Sequence, residues 1–129
     1  MSESFDLIVR GGTAATPNGI APCDVGVRDG RIVALGDISG GAGETIDATG
    51  LHVLPGVIDT QVHFREPGLE HKEDLESGTR AAALGGVTAV FEMPNTSPPT
   101  TTETAIADKI ARASGRAWCD FAFFAGAAE

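Results

Sequence analysis

Cysteine is scarce in this chain: Cys23 and Cys119 are the only two in 129 residues, far apart and outside any Cys-x-x-Cys spacing. Neither a disulfide framework nor a zinc knuckle is therefore expected, and both residues read as small, buried apolar side chains. Long apolar runs are also missing, since nothing approaches the roughly 18 consecutive apolar residues of a membrane-spanning helix. The opening Met1-Ser2-Glu3-Ser4 lacks the basic and then apolar pattern of a signal peptide. Basic charge is short as well. Nine Lys plus Arg stand against 18 Asp plus Glu, for a formal charge of -9 and no basic run. That balance disfavours nucleic acid and other polyanions as partners. The expectation is a cytoplasmic globular protein with no nucleic-acid or membrane partner, long enough for one ordinary domain.

What is present falls into two parts. Residues 1–54 are short apolar runs punctuated by Gly, Asn, Asp and Pro, the pattern of small antiparallel strands joined by tight turns. Phe5-Asp6-Leu7-Ile8-Val9-Arg10 runs into Gly11-Gly12. Residues 23–28 meet residues 31–35 across Asp29-Gly30, a pair suited to a two-residue hairpin whose central positions need positive φ. A glycine-rich stretch, Ser39 to Gly43, precedes Glu44-Thr45-Ile46-Asp47. This part reads as a small β domain without visible chemistry.

From residue 55 to 129 the pattern changes to alternating strands and helices, as expected for parallel strands linked by crossover helices. A strand is predicted over about Val57–Phe64 and a helix over about Glu73–Leu84, stopped by Gly85-Gly86. A second strand, Val87–Glu92, ends in Met93-Pro94-Asn95-Thr96. A second helix follows Thr100, with Glu103 three residues on as in a capping box and Ile106, Ile110 and Ala113 on one side. A third strand begins at Trp118. Two and a half strand-helix units leave unpaired edges on a parallel sheet, so the chain is expected to be the front part of a longer protein.

Asp59-Thr60-Gln61-Val62-His63-Phe64-Arg65 carries the strongest functional signal. At strand spacing Val57, Asp59, Gln61, His63 and Arg65 share one face, and Ile58, Thr60, Val62 and Phe64 share the other. The second row looks like packing. The first lines up a carboxylate, an amide, an imidazole and a guanidinium, which are costly to bury unless a metal ion or charged ligand partners them. His52 and His71 lie in a strand connection and a loop and read as ordinary packed or solvated histidines.

The run Leu54-Pro55-Gly56-Val57-Ile58-Asp59-Thr60-Gln61-Val62-His63-Phe64-Arg65-Glu66-Pro67-Gly68 resembles the first-strand signature of the cyclic amidohydrolases, and dihydroorotases in particular. Lys72 to Gly78, Gly85-Gly86-Val87-Thr88 and Met93-Pro94-Asn95-Thr96 follow in that family's order and spacing. The resemblance implies an α/β fold, the first strands of a (β/α)8 TIM barrel preceded by a small β-sandwich-like domain, with site residues at the carboxyl ends of the strands. It implies zinc, one or two ions per complete subunit, held in part by a His-x-His pair. Here those positions are Gln61 and His63. Gln61 departs from the family, since its neutral carbonyl oxygen suits hard cations better than zinc. The resemblance also gives Arg65 and Asn95 to a substrate carboxylate and makes Asp59 a carboxylate that orients a histidine.

The implied reaction is the reversible, metal-dependent opening of dihydroorotate, a carboxylate-bearing cyclic ureide, to carbamoyl aspartate in pyrimidine biosynthesis. No proton-transfer residue of that reaction lies in this segment, so the segment alone is expected to be inactive. Two alternatives stand beside this reading. One is a non-catalytic partner of aspartate transcarbamoylase, which the loss of a ligand at Gln61 suits. The other is a different cyclic amidohydrolase, such as an allantoinase or hydantoinase. A homo-oligomer is the further assembly to expect.

Overall fold

The computed structural model describes residues 5–127. The chain divides into two compact units, Met1–Pro55 and Gly56–Glu129.

The first unit is two small sheets. Strand β1 (Phe5–Arg10) pairs antiparallel with β4 (Asp24–Arg28), and β4 pairs antiparallel with β5 (Arg31–Gly36). On its other side β1 pairs parallel with β6 (Ala42–Asp47), which gives the order β5-β4-β1-β6. Asp29 and Gly30 both have positive φ, 52° and 69°, as the hairpin between β4 and β5 requires. Phe5, Ile8 and Ile38 form the core of this sheet. The second sheet has the order β3-β2-β7, with β2 (Thr13–Thr16) antiparallel to β3 (Gly19–Pro22) and parallel to β7 (His52–Val53). The wholly antiparallel expectation is thus corrected at β6 and β7. Both return after an intervening segment long enough to re-enter alongside their partners, which turn residues alone do not reveal. His52 lies within β7 and not in a connection.

The second unit is a three-stranded parallel sheet, order β10-β9-β8, with one helix in each crossover. Strand β8 (Val57–Val62) leads through a loop to helix α1 (Leu75–Leu84), then to β9 (Val87–Glu92), helix α2 (Glu103–Ala113) and β10 (Asp120–Phe123). Phe64, Leu75, Val90 and Ala113 form the core between sheet and helices, with Val62, Phe121 and Phe123 packed against it. Phe64 lies flat over α1 at Gly78, where a Cβ would fall 2.3 Å from the Phe64 ring, so only glycine allows this approach.

Local sequence explains the helix ends. Asp74 caps α1 with a reciprocal capping box: its carboxylate accepts from the Ser77 amide, and the Ser77 hydroxyl accepts from the Asp74 amide. Helix α2 is capped by Thr102, not Thr100, and Glu103 becomes its first residue. The loop accounts for the shift. The Thr100 amide donates to the Pro94 carbonyl and the Thr100 hydroxyl pairs with that of Thr96, so both groups are already engaged. The expected apolar side of α2 also changes, since Ile110 is 46% exposed while Lys109 is fully buried.

Candidate functional site

The predicted strand over 57–64 ends two residues early, at Val62. Its pairing with β9 slips just before that end: Asp59 aligns with Val90 but Val62 with Glu92, three steps on β8 against two on β9. This bulge interrupts the strict alternation of the polar row and re-aims the side chains beyond it. Val62 packs against the helix-side core, which sends its neighbours Gln61 and His63 to the opposite face of the sheet. The Asp59 carboxylate is used locally, where it accepts the Gln61 amide at 3.0 Å, inside the bulge. It closes a turn-like contact on its own backbone, and no hydrogen bond joins it to His63 among the described residues.

His63 and Asn95, thirty-two residues apart, meet at the carboxyl ends of the first two parallel strands. The His63 Nδ1 lies 2.8 Å from Asn95 Oδ1. An amide oxygen only accepts, so Nδ1 carries the proton and the lone pair of the ring is left on Nε2. The contact therefore fixes the tautomer and presents a free, basic nitrogen, as the partners of metal-binding imidazoles do. Gln61 is exposed on the same side. Among the described residues no group of three or more His, Cys, Asp and Glu gathers as a metal site. The donor set fits one good ligand position, His63 Nε2, with the Gln61 carbonyl as a weak second.

Beyond the strand the chain turns at Arg65, whose φ of 65° is in the left-handed region that a non-glycine residue enters at a cost. Arg65 is half-buried, and no carboxylate among the described residues pairs with it. The natural suitor, the adjacent Glu66, is engaged elsewhere. Glu66 is buried and accepts from the Leu75 amide at 2.9 Å. It also takes both Nη atoms of Arg116, at 2.9 and 3.3 Å, with Arg112 at 3.7 Å. That hydrogen bond to Glu66 raises the pKa of Arg116 above its ordinary value. Ahead, the loop locks onto the one after β9. The Ser97 amide donates to the Pro67 carbonyl at 3.0 Å, and a Cβ at Gly68 (φ 94°) would fall 1.9 Å from the Ser97 carbonyl oxygen.

Beneath the site, Lys109 Nζ reaches Glu92 Oε2 at 2.9 Å as an ion pair, both side chains essentially excluded from solvent. At 2.9 Å the contact is a close ion pair that opposes the cost of burying the Glu92 carboxylate. Burial pushes the Glu92 carboxyl up, against the opposing pull of Lys109. Lys109 Nζ also donates to the Met93 carbonyl at 3.4 Å, two residues before Asn95. Sequence reasoning missed this pair and the two arginines that hold Glu66. A charged residue ending an apolar strand, and a lysine between Ile106 and Ile110 on a helix, were the available signals. His52 and His71 stay outside the cluster, His52 in β7 and His71 in the exposed loop before α1.

Comparison with known proteins gives the chain its family. The sequence profile described as dihydro-orotase-like matches residues 50–125. An allantoinase of Rubrobacter xylanophilus is 54% identical over 126 residues, which cover 96% of this chain and 28% of that protein. An allantoinase of Deinococcus radiodurans is 42% identical over 125 residues, 95% of this chain and 28% of its own length. Among solved structures, the L-hydantoinase (dihydropyrimidinase) of Arthrobacter aurescens superposes with a TM-score of 0.85 at 38% identity, over 95% of this chain and 28% of that one. The chain thus spans little more than a quarter of the length of these relatives. The β-α-β-α-β unit is the opening of a (β/α)8 barrel, preceded by a small β-rich domain. With the profile match over residues 50–125 and relatives of this identity, the chain belongs to the dihydro-orotase-like family of cyclic amidohydrolases.

Proposed function

We propose that, at the length of its relatives, this chain serves a hydrolase that opens a cyclic amide ring by breaking a C–N bond, with allantoin- and hydantoin-type ureides as its substrate class. The carrying observation is the His63–Asn95 contact, which holds a free imidazole nitrogen at the mouth of the parallel strands. A divalent cation bound there would polarise the ring carbonyl and lower the pKa of a bound water. The residues of this chain hold and orient. His63 offers Nε2, Asn95 keeps that ring in one tautomer, and Gln61 stands beside it as a neutral oxygen donor. Ring opening creates a carboxylate, and the Arg65 guanidinium, without a carboxylate partner among the described residues, is suited to receive it. The proton-transfer group and the remaining ligands belong to other parts of such a protein. The substrate class follows the named activities of the allantoinase and hydantoinase relatives.

A second reading, dihydroorotate as substrate, is favoured by the same Arg65, because a ring that already bears a carboxylate would use the guanidinium before reaction as well as after. A panel of allantoin, hydantoin and dihydroorotate, assayed with the metal-loaded protein at its relatives' length, tests both. Turnover of a neutral ring is expected. Turnover of dihydroorotate alone would move the assignment to the second reading, and turnover of none would overturn the enzyme.

A further inference from the structure

After β8 the Arg65 guanidinium has no carboxylate partner among the described residues, although the acid Glu66 is its sequence neighbour. Phe64 and Glu66, on either side of Arg65, are both pinned at the start of α1. Phe64 packs in the core with Leu75, and the Glu66 carboxylate accepts the Leu75 amide. Two arginines, Arg112 in the last turn of α2 and Arg116 just beyond it, complete the hold on Glu66, Arg116 through both Nη atoms and Arg112 at 3.7 Å. Arg112 is fixed in turn by Asp108 at 2.7 Å, and the Arg112 carbonyl accepts from Arg116 Nη1 at 3.2 Å. The carboxylate is thus neutralised from the helix side and drawn away from Arg65, whose left-handed backbone is clamped between two anchored residues. Strain of this kind persists only when its surroundings over-determine it.

From this we infer that Glu66 is a positioning residue, which with Arg116 holds the Arg65 guanidinium unpaired and in place to bind the carboxylate of a ring substrate or its opened product. The inference rests on the ligand-binding reading of Arg65 given above. It goes beyond that reading in assigning the α2 terminus, remote from the strand ends in sequence, a part in carboxylate recognition.

The test uses the metal-loaded protein at its relatives' length and titrates two probes, dihydroorotate, which carries a carboxylate, and hydantoin, which does not. Glu66→Gln keeps an acceptor for the Leu75 amide but loses the charge that Arg116 grips. It is expected to weaken dihydroorotate binding about tenfold, the loss of one charge-assisted contact, and to leave hydantoin within about twofold. In an Arg65→Ala background the same change should have no further effect, because Glu66 acts through Arg65. Arg116→Met, at a partly exposed position more tolerant of substitution, should repeat the pattern if Glu66→Gln fails to fold. Arg116→Lys should recover part of the loss. Equal weakening of both probes, or a full additional loss in the Arg65→Ala background, would reduce Glu66 to general scaffolding and overturn the inference. If Arg65→Ala itself binds dihydroorotate as well as the unaltered protein, or the unaltered protein binds none, the ligand-binding reading of Arg65 falls first and takes the inference with it.

Discussion

A histidine becomes a useful ligand only when something decides which of its nitrogens is free, and here Asn95 decides it. With Oδ1 at 2.8 Å from Nδ1, an acceptor that calls for a donor opposite it, the His63 ring takes the Nδ1–H tautomer and keeps its lone pair on Nε2. If His63 holds a divalent cation as proposed, Asn95→Ala should lower the affinity for added zinc at the relatives' length by roughly 10- to 100-fold, the usual cost of losing a partner behind a ligating imidazole. Asn95→Asp, which keeps an acceptor, should retain most of it. Metal titration by competition with a chelating dye reads both, and an Asn95→Ala protein that binds zinc like its parent would remove His63 from the proposed metal site. The residue types of this cluster were legible in the sequence, since His63, Arg65 and Asn95 are chemically conspicuous at predicted strand ends. Their geometry was not. Strand periodicity carries no information about the extra residue between Asp59 and Val62, the left-handed turn at Arg65, or the use of Asp59 on its own backbone. Each is set by the neighbouring strand or by the loop, not by alternation.

At the scale of elements, the β9–α2 contact depends on one buried ion pair. Lys109 and Glu92 bring opposite charges into a site closed to solvent, with the Phe123 ring 5.5 Å from the ammonium. Such a pair contributes little net stability, but removal of one partner strands the other. Lys109→Met should cost about 3–5 kcal/mol at neutral pH. The sign of its pH dependence follows from Glu92. Burial already raises this carboxyl above its ordinary value, and without Lys109 that shift loses its main counterweight. The folded state then holds its proton to higher pH than the unfolded chain, so stability falls as pH rises through that interval. The penalty of Lys109→Met should accordingly be largest at neutral pH and shrink as pH falls, vanishing below the ordinary carboxyl range, where Glu92 is protonated in both states. Urea unfolding at the two pH values measures it, and a penalty independent of pH would show that Glu92 does not titrate in this range. Element types and order in this unit were legible because the apolar period switches from two to about 3.6 between glycine stops. The buried face of α2 was not, because periodicity counts a lysine as surface unless its partner on another strand is known.

For the molecule as a whole, the difficulty lies in the parallel sheet. Helices α1 and α2 supply one covered side, where Phe64, Leu75, Val90 and Ala113 are buried. Among the described residues strand β8 pairs with β9 alone, and its first two residues, Val57 and Ile58, remain 56% and 58% exposed. On the helices and the connection before β10, Leu84 is 82% and Trp118 59% exposed. Parallel strands ordinarily occur with both faces covered, because their apolar runs and open edges attract other chains. A chain of these 129 residues should therefore self-associate at micromolar concentration and bind an apolar fluorescent dye. The same residues within a polypeptide of the relatives' length, where further strands would close the barrel, should do neither. Replacing Val57 and Ile58 with threonine in the short chain keeps β-branched residues on the strand but removes apolar surface, so it should reduce dye binding more than a matched pair of changes on β3. Sedimentation velocity and dye fluorescence compare the forms directly. A short chain that stays monomeric and dye-free would mean that this sheet tolerates its open edge and needs no further strands to be stable.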